Sequence, residues 1–343
     1  MRLLIIIFIL FVFIGCKSKS EHYDMNISLK KEEGRSDNIF PVIDESTLPH
    51  RTVYTSSIED LFQIFKDMGY DDKKWYEGTQ IIPRIYLQRI SSRWKGQSSE
   101  LDVSIKKDIF FKLITPAILR SNEFIQIERN HLLLIVKNHL EMDKKNREWL
   151  IKLAKKYKIL GVNEPLHVNN KFFKELLKRV DTIAPSLALA QAAEESGWAT
   201  SRFASEGNAL FGQWTRSKTA MIPNRQREQF SDFGLARFKT PQDSVNSYML
   251  NLNTHNAYKK LREKRYRLRK EAKAVTGLAL SETLDKYSER GYEYVNGLKK
   301  MIRYNHLAHF DNSKLWNKEV ILLTPKISPK KSTSEVNQSL VIN

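Results

Sequence analysis

The chain has 343 residues, of which 41% are hydrophobic and 28% are charged, a balance typical of a globular protein rather than a disordered one. Lysine and arginine number 57 against 39 for aspartate and glutamate, so the formal net charge is +18. This excess favours an anionic partner such as nucleic acid, lipid headgroups or an acidic wall polymer, although a solvated lysine-rich surface has the same composition. The single cysteine, Cys16, excludes an intramolecular disulfide and a multi-cysteine metal site.

The N-terminus has the pattern of an export signal. Arg2 precedes an unbroken apolar run over residues 3–14, and Gly15 and Cys16 follow it. The run is too short to cross a bilayer, which takes roughly 20 residues, but it suits the apolar core of a signal peptide. Its ending, Phe-Ile-Gly-Cys, resembles a bacterial lipobox, in which the cysteine is acylated after cleavage. We therefore predict a lipoprotein signal over residues 1–16 and an exported, membrane-anchored protein; an ordinary cleaved signal or an uncleaved anchor is the alternative.

The next segments are distinguished by composition and periodicity. Residues 17–55 are mostly polar and charged, which predicts a flexible tether. Apolar residues at helical spacing predict a helical N-terminal region over residues 56–160, with no signature of a function. Glycine, proline and three asparagines over 161–170 predict a loop and a domain boundary. The lysine- and serine-rich end, residues 313–343, is predicted to be a largely disordered tail.

The stretch 184–214 carries the clearest chemistry. Pro185 and a run of alanines favour a buried helix that ends in Glu194 and Glu195, just before Gly197. Successive helical residues point about 100° apart, so one carboxylate can face a cleft while the other faces solvent or a basic partner. Burial raises the pKa of a carboxyl group, and a glutamate that stays protonated near neutral pH can act as a general acid.

Glu195 is the better placed of the two carboxylates. On a regular helix it shares a face with Gln191 and Trp198, and an indole beside a carboxyl group helps to keep that group protonated. The alternative is an exposed pair of glutamates without a function, which is the usual state of such residues. We therefore predict Glu195 as the acid, with Trp198 beside it.

The same stretch resembles the glucosaminidase domains of glycoside hydrolase family 73, the lysozyme-like autolysins. Their signature is an alanine-rich helix that runs into Glu-Ser-Gly-Trp and is followed by an Asn-x-Phe-Gly-type segment. Here Glu195 begins Glu-Ser-Gly-Trp, and Asn-Ala-Leu-Phe-Gly-Gln-Trp occupies 208–214. Within the family, the chain is most similar to Bax-type proteins, through Ser-Arg-Phe-Ala at 201–204, Asn-Leu-Asn-Thr-His at 251–255 and Ala-Tyr at 257–258. The resemblance covers about residues 106–306.

The resemblance implies a mainly α (α+β) fold: a lysozyme-like helical domain with a small β-lobe over residues 161–312, preceded by the helical N-terminal region. It implies an endo-β-N-acetylglucosaminidase that acts on peptidoglycan, with Glu195 as the catalytic acid. Ala199 stands where the family commonly has glycine, and we expect a local change of backbone there without loss of activity.

Two further catalytic candidates come from the resemblance. The first is Glu228, which lies with a second acid, Asp232, in the stretch 221–238. The turn residues of this stretch predict a short hairpin, and some family members use a carboxylate in this lobe. An exposed loop charge is the alternative for Glu228. Tyr294 matches a tyrosine near the end of the domain and could orient a water molecule or the N-acetyl group; a packing tyrosine is the alternative.

Sugar rings present apolar faces that lie flat on aromatic side chains, while amides bind the hydroxyl groups. On this basis the substrate-binding candidates are Gln191, Trp198, Asn208, Phe211, Gln213 and Trp214, although core packing is the favoured interpretation of Phe211. The eight histidines show no metal-ligand spacing and no dinucleotide motif occurs, so we expect no metal and no cofactor.

The segment 259–273 is strongly basic. In a cytosolic protein it would favour nucleic-acid binding, whereas behind an export signal the wall polymer or anionic lipids are better partners, and a solvated helix face is the simplest interpretation. We expect a monomer that binds no nucleic acid. The alternatives to the glucosaminidase are a muramidase or lytic transglycosylase on the same polymer and a non-catalytic wall-binding lipoprotein.

Overall fold

The computed structural model of the protein describes residues 44–70, 81–223 and 233–326. Over these residues the chain is mainly helical with two small sheets, which confirms the predicted mainly α (α+β), lysozyme-like class. The predicted signal, with Cys16, lies outside the described residues. Within the described ranges, no helix combines the length and the apolar character that crossing a membrane requires.

The helices are α1 (Ile58–Asp67), α2 (Trp94–Gln97), α3 (Val103–Lys137), α4 (Lys144–Lys156), α5 (Asn170–Arg179), α6 (Pro185–Ser196), α7 (Arg202–Gly207), α8 (Pro241–Thr254), α9 (Lys259–Lys270), α10 (Gly277–Ser281) and α11 (Tyr292–Tyr304). Short 3₁₀ helices lie at Glu45–Thr47, His139–Glu141, Asn256–Tyr258 and Leu307–Asn312. The strands are β1 (His50–Thr55), β2 (Ile81–Leu87), β3 (Trp214–Thr215), β4 (Gly234–Leu235) and β5 (Lys314–Pro325).

Several helices begin where the sequence supplies a cap. α1 starts with a capping box, in which the Ser57 hydroxyl accepts from the Asp60 amide and the Asp60 carboxylate accepts from the Ser57 amide. α8 is capped in the same way by Thr240, and α5 is capped by Asn169, which lies at the end of the predicted loop. These caps satisfy backbone donors that have no partner within the helix. The starts of these helices are therefore local properties of the chain.

Strand β5 is the centre of a three-stranded parallel sheet in the order β1–β5–β2. The predictions of a tether at residues 50–55 and of a disordered tail at 314–325 are therefore wrong. β1 is an edge strand that leaves most of its residues exposed, so its sequence looks polar. The residues of β5 between 320 and 323 are apolar and largely buried, as is typical of a central parallel strand. The prediction missed this strand because it took the lysine- and serine-rich composition at the end of the chain as typical of all of residues 313–343.

One hydrophobic cluster extends from Ile58 to Leu323 and includes residues of α1, α3, α6, α8, α11 and the parallel sheet. It crosses the boundary predicted near residue 160, so the N-terminal region and the following domain share their core. Helix α3 packs against β2, α6 and α8, and it connects the two parts. Strand β2 also lies inside the region that the sequence predicted to be helical. Together these contacts make the N-terminal region part of the scaffold that carries α6.

Two buried arginines of α9 donate to backbone oxygens, Arg265 in the segment that leads into α6 and Arg262 at the end of α8. Arg262 and Arg265 are almost completely buried, and Arg265 donates to the backbone oxygens of Asp181 and Thr182 at 3.1 and 3.0 Å. The carboxylate of Asp181, itself buried, lies 3.4 Å from Arg265 Nε. The interpretation of segment 259–273 as a solvated face is therefore wrong at these two arginines. Their guanidinium groups are used for internal structure because they satisfy several buried carbonyls at once.

The small β-lobe is built on the antiparallel pair β3 and β4. Ala209, Met221 and Leu235 form its own small core, with Phe203 and Phe238 packed against it. β4 and the bridge between Met221 and Leu235 lie within the stretch 221–238 that was predicted to hold a hairpin, whereas β3 precedes that stretch. Glu228 and Asp232 lie outside the described residues.

Candidate active site

The start of α6 is fixed from outside the helix. Ala184 supplies no side-chain cap, and the carboxylate of Asp311 takes its place by accepting from the amide and the hydroxyl of Ser186 at 2.8 and 2.9 Å. The same carboxylate accepts from the Gly277 amide at 3.0 Å. A Cβ atom at Gly277 would lie 2.1 Å from Ser186 Oγ, so only glycine permits this approach. Helix α6 is thereby held in place at its buried end.

The other end of α6 turns sharply. Gly197, Trp198 and Ala199 all have left-handed backbone angles, with φ of 58°, 62° and 61°. This conformation costs an L-residue roughly 1–2 kcal/mol. It accounts for the glycine that is common in the family at the position of Ala199, while the local change of backbone that the sequence led us to expect there stays a prediction.

Because of this turn, Trp198 leaves the helical face on which the sequence placed it. Its ring packs edge-on against Phe110 and Phe111 at centroid distances of 5.5 and 5.4 Å, and its carbonyl oxygen accepts from Trp94 Nε1 at 2.9 Å. Trp198 therefore does not lie on the regular helical face on which the sequence placed it, and its contact with sugar stays a prediction. Trp198 joins the end of α6 to α2 and α3.

The two glutamates at the end of α6 have different surroundings. Glu194 is exposed and pairs with Arg290, whose Nη2 lies 2.7 Å from Glu194 Oε1. Glu195 is half-buried and accepts a 2.8 Å hydrogen bond at Oε1 from the hydroxyl of Tyr294. This agrees with the expectation that one carboxylate faces a basic partner while the other is sheltered.

Burial raises the pKa of Glu195 above the ordinary value of a glutamate. The hydrogen bond from Tyr294 acts in the opposite direction, the charge of Glu194 raises the pKa further, and Arg290 lowers it. The net effect favours the protonated form, because the loss of hydration outweighs the groups that stabilise the carboxylate. A carboxyl group of this kind can donate a proton at a pH where an exposed glutamate has already lost it.

Tyr294 reaches Glu195 from α11 and is itself buried, with its ring stacked on Tyr287 at a centroid distance of 5.3 Å. Its hydroxyl accepts from Gln191 Nε2 at 3.0 Å, and Gln191 Oε1 accepts from the hydroxyl of Tyr248 at 2.7 Å. Burial raises the pKa of Tyr294 and of Tyr248, so both stay neutral phenols. Three helices therefore bring their polar groups together around one carboxyl group.

Comparisons with known proteins agree with this arrangement. The family described as Mannosyl-glycoprotein endo-beta-N-acetylglucosaminidase matches residues 170–307, the range that holds α6, α8 and α11. Protein bax of Escherichia coli (strain K12) is 34% identical over 202 residues, which are 58% of this chain and 70% of that protein. The chain belongs to the Bax-type proteins with a glucosaminidase domain. No solved structure matches it. The domain is of a glycosidase type that acts on glycans.

Three of the predicted substrate contacts have other roles in the glucosaminidase domain. Gln191 has no exposed surface, and its amide is engaged by the two tyrosines. Asn208 accepts from the Ile90 amide at 2.9 Å and donates to two backbone oxygens, so its side chain connects the β-lobe to the loop after β2. Phe211 is buried and stacks on Tyr248 at 3.8 Å, which agrees with the core packing favoured for it and corrects its place among the substrate contacts. Gln191 and Phe211 are buried, and the half-buried side chain of Asn208 is engaged by three backbone groups, so we no longer count these residues among the substrate contacts.

Gln213 and Trp214 stay candidates for binding substrate. Trp214 lies on β3 and exposes 53% of its surface. Gln213 precedes it, and its Oε1 atom is buried without a hydrogen-bond partner in the described part of the chain. Gly212 brings this strand close to the acid, since a Cβ atom there would lie 4.0 Å from Glu195 Oε2. An indole and an amide that follow Gly212 in the chain are residue types suitable for binding a pyranose ring.

Two cavities of more than 600 Å³ lie away from Glu195. One of about 630 Å³ opens near the start of α6, and one of about 660 Å³ lies between α3 and α8; Glu195 lines neither. Across residues 44–70, 81–223 and 233–326, no group of three or more histidine, cysteine or carboxylate side chains is arranged to hold a metal ion. The site is therefore defined by the carboxyl group and its hydrogen-bond partners.

Reasoning from the sequence missed Tyr248, Tyr287 and Arg290. Tyr248 lies three residues before the Asn-Leu-Asn-Thr-His motif, and the other two lie in the tyrosine-rich stretch before α11. Those motifs were the available signal, but nothing in their spacing shows that the residues meet at Glu195. Their roles depend on how α8 and α11 pack around α6.

Proposed function

We propose that this protein is a peptidoglycan hydrolase, an endo-β-N-acetylglucosaminidase that cleaves the β-1,4 bond between N-acetylglucosamine and N-acetylmuramic acid. The observation that carries the proposal is the half-buried Glu195, whose pKa is raised by burial and whose Oε1 is held by Tyr294. The family supports a glycan substrate. The choice of peptidoglycan is supported by the resemblance to autolysins, by the signal-like N-terminus and by the net charge of +18, which suits an anionic wall.

Glu195 acts as the general acid in this proposal. It donates a proton to the oxygen of the scissile bond while that bond breaks, as one carboxyl group does in most glycosidases. Gln213 and Trp214 bind the sugar beside it. Glu228 remains our candidate for the second carboxylate, on the basis of the sequence alone.

The proposed place of action is the cell envelope. An acylated Cys16 would anchor the chain to a membrane, and residues 17–43 would give the enzyme reach toward the glycan strands. In this setting the wall polymer is the partner, no nucleic acid is bound, and the protein works as a monomer.

The test is a gel with embedded peptidoglycan that compares the wild type with Glu195→Gln. Glutamine keeps the shape of the side chain but cannot donate a carboxyl proton, and loss of a general acid costs roughly 10²- to 10⁴-fold in rate. Glu206→Gln is the matched control, because Glu206 is an exposed residue of the same domain. We expect clearing by the wild type and the control, and no clearing by Glu195→Gln. Clearing by all three would refute the role of Glu195.

The products separate this function from its alternatives. A glucosaminidase leaves N-acetylglucosamine at the new reducing end, a muramidase leaves N-acetylmuramic acid, and a lytic transglycosylase leaves an anhydro sugar. Mass spectrometry of the soluble fragments distinguishes the three. Binding to the wall without release of fragments would identify the protein as a non-catalytic wall-binding protein.

A further inference from the structure

A chain of hydrogen bonds with one direction ends on the acid. Tyr248 donates to Gln191 Oε1 at 2.7 Å, Gln191 Nε2 donates to the oxygen of Tyr294 at 3.0 Å, and Tyr294 donates to Glu195 Oε1 at 2.8 Å. Tyr248, Gln191 and Tyr294 expose at most 1% of their surface, so water does not compete for these bonds. We call these three residues the relay.

The amide of Gln191 sets the direction of the relay. An amide nitrogen only donates and an amide oxygen only accepts. The oxygen of Tyr294 therefore receives a proton from Gln191, and the single proton of Tyr294 is left for Glu195. If the amide were reversed, its nitrogen would face the Tyr248 hydroxyl, and Tyr248 would lose the oxygen that now accepts its buried proton. The observed direction is the one that satisfies every member.

This direction distinguishes the two oxygens of Glu195. Oε1 accepts the proton of Tyr294, so a proton that belongs to Glu195 itself lies on Oε2. Oε2 is the atom nearer to Gly212, where a Cβ atom would be 4.0 Å away, and Gly212 directly precedes Gln213 and Trp214. The relay thus leaves the acid proton on the oxygen that faces Gly212.

We propose that Tyr248 and Gln191 are positioning residues, which act through Tyr294 to hold the acidic proton of Glu195 on Oε2, facing the sugar. This inference rests on the proposed function and assigns the donor atom within it. In the reaction, the bond from Oε2 to its proton breaks and the proton goes to the glycosidic oxygen. That oxygen keeps the electron pair of its broken bond to the anomeric carbon. The water of hydrolysis adds its hydroxyl to that carbon and releases its other proton to the medium.

The other groups that face Glu195 act in both directions. Glu194 raises its pKa and Arg290 lowers it, while the phenols of Tyr258 and Tyr287 stay neutral because burial raises their own pKa values. The relay is therefore the part of the surroundings that distinguishes Oε1 from Oε2, whereas the charges act on the carboxyl group as a whole.

The test compares Gln191→Met and Tyr248→Phe with Gln242→Met in the full chain. Gln242 is also a buried glutamine, but its amide donates to the backbone oxygen of Ala117 and to Ser121 and not to the relay. The pKa of Glu195 is measured by NMR titration of ¹³C-labelled glutamate carboxyl groups. Its resonance is identified as the one that disappears in Glu195→Gln.

In Gln191→Met the oxygen of Tyr294 is free to accept a proton from Glu195 Oε1. The protonated form of Glu195 then gains a hydrogen bond to Tyr294, so the measured pKa of Glu195 should rise. Its proton then spends part of the time on Oε1 instead of Oε2. We expect kcat on peptidoglycan to fall about tenfold with KM little changed, and the alkaline limb of the pH profile to move upward. Tyr248→Phe should raise the pKa of Glu195 and the alkaline limb by smaller amounts. Gln242→Met should change neither the pKa nor the alkaline limb.

The outcomes separate this inference from the proposed function. An unchanged pKa of Glu195 in Gln191→Met and Tyr248→Phe, or an equal shift in Gln242→Met, overturns the relay even if the wild type digests peptidoglycan. A pKa that responds as expected in a protein that releases no fragments supports the relay and overturns the proposed function.

Discussion

Replacing Asp181 with asparagine tests the buried cluster that holds the chain where it enters α6. Its carboxylate exposes 1% of its surface and faces three guanidinium groups, with Oδ2 at 2.6 Å from Arg269 Nε, 3.4 Å from Arg265 Nε and 3.8 Å from Arg129 Nη1. Asparagine keeps the size of the side chain and removes its charge. The arginines stay buried, because Arg265 and Arg129 also donate to backbone oxygens.

The magnitude follows from that geometry. Removing one partner of a buried ion pair costs about 3–5 kcal/mol, because the remaining charge is left in a poorly hydrated place. Arg265 is fully buried and Arg129 nearly so, whereas the side chain of Arg269 is 33% exposed and contributes less. We therefore expect Asp181→Asn to lower the free energy of unfolding by about 3–5 kcal/mol. Glu206→Gln, in an exposed ion pair, should change it by less than about 1 kcal/mol.

The assay is urea unfolding followed by circular dichroism. With a slope of about 3 kcal/mol/M, the loss corresponds to a midpoint that is lower by about 1 M or more at an unchanged slope. A midpoint within the error of the wild type would refute the reasoning, since it would mean that the three arginines need no counter-charge.

The pH dependence gives an independent test of the same cluster. Burial alone raises the pKa of Asp181, but the three arginines outweigh it and hold the pKa well below the usual range. A carboxylate with a lowered pKa contributes stability that is present above its unfolded pKa of about 4 and is lost as the pH falls toward the folded pKa. The difference in stability between wild type and Asp181→Asn should therefore be full at neutral pH and shrink below about pH 4. A difference that stayed constant into strong acid would contradict this account.

Two further predictions concern the ends of α6. Gly277→Ala places a Cβ atom 2.1 Å from Ser186 Oγ, so the start of α6 must shift. We expect the free energy of unfolding to fall by roughly 2 kcal/mol or more, measured by thermal unfolding. An unchanged melting temperature would show that the contact between Gly277 and Ser186 is not tight. Tyr294→Phe removes the hydrogen bond that lowers the pKa of Glu195, so the pKa should rise, the acid should stay protonated to higher pH, and the alkaline limb of the activity profile should move upward. A limb that moved down would mean that Tyr294 stabilises the protonated form.

The local features of this protein could be read from its sequence. Pro185, the alanines and Gly197 give the start, the buried body and the end of α6, because helix propensity and backbone freedom act over a few neighbouring residues. The family motifs point to Glu195 for the same reason, since they occupy short contiguous stretches. The different surroundings of Glu194 and Glu195 also follow from the angle between adjacent helical residues.

The tertiary structure alone decided what these elements meet. β1 pairs with β5 across about 270 residues of chain, in the register His50 to Val320, so neither strand shows its partner in its own sequence. The relay likewise joins α6, α8 and α11, and the left-handed turn at residues 197–199 takes Trp198 off the helical face of Glu195. Periodicity reports which face of an element is apolar, whereas burial and hydrogen bonding depend on the element that is packed against that face. Glu195 was therefore readable from the sequence as the candidate acid, and its hydrogen-bond partners on α8 and α11 were not readable in that way.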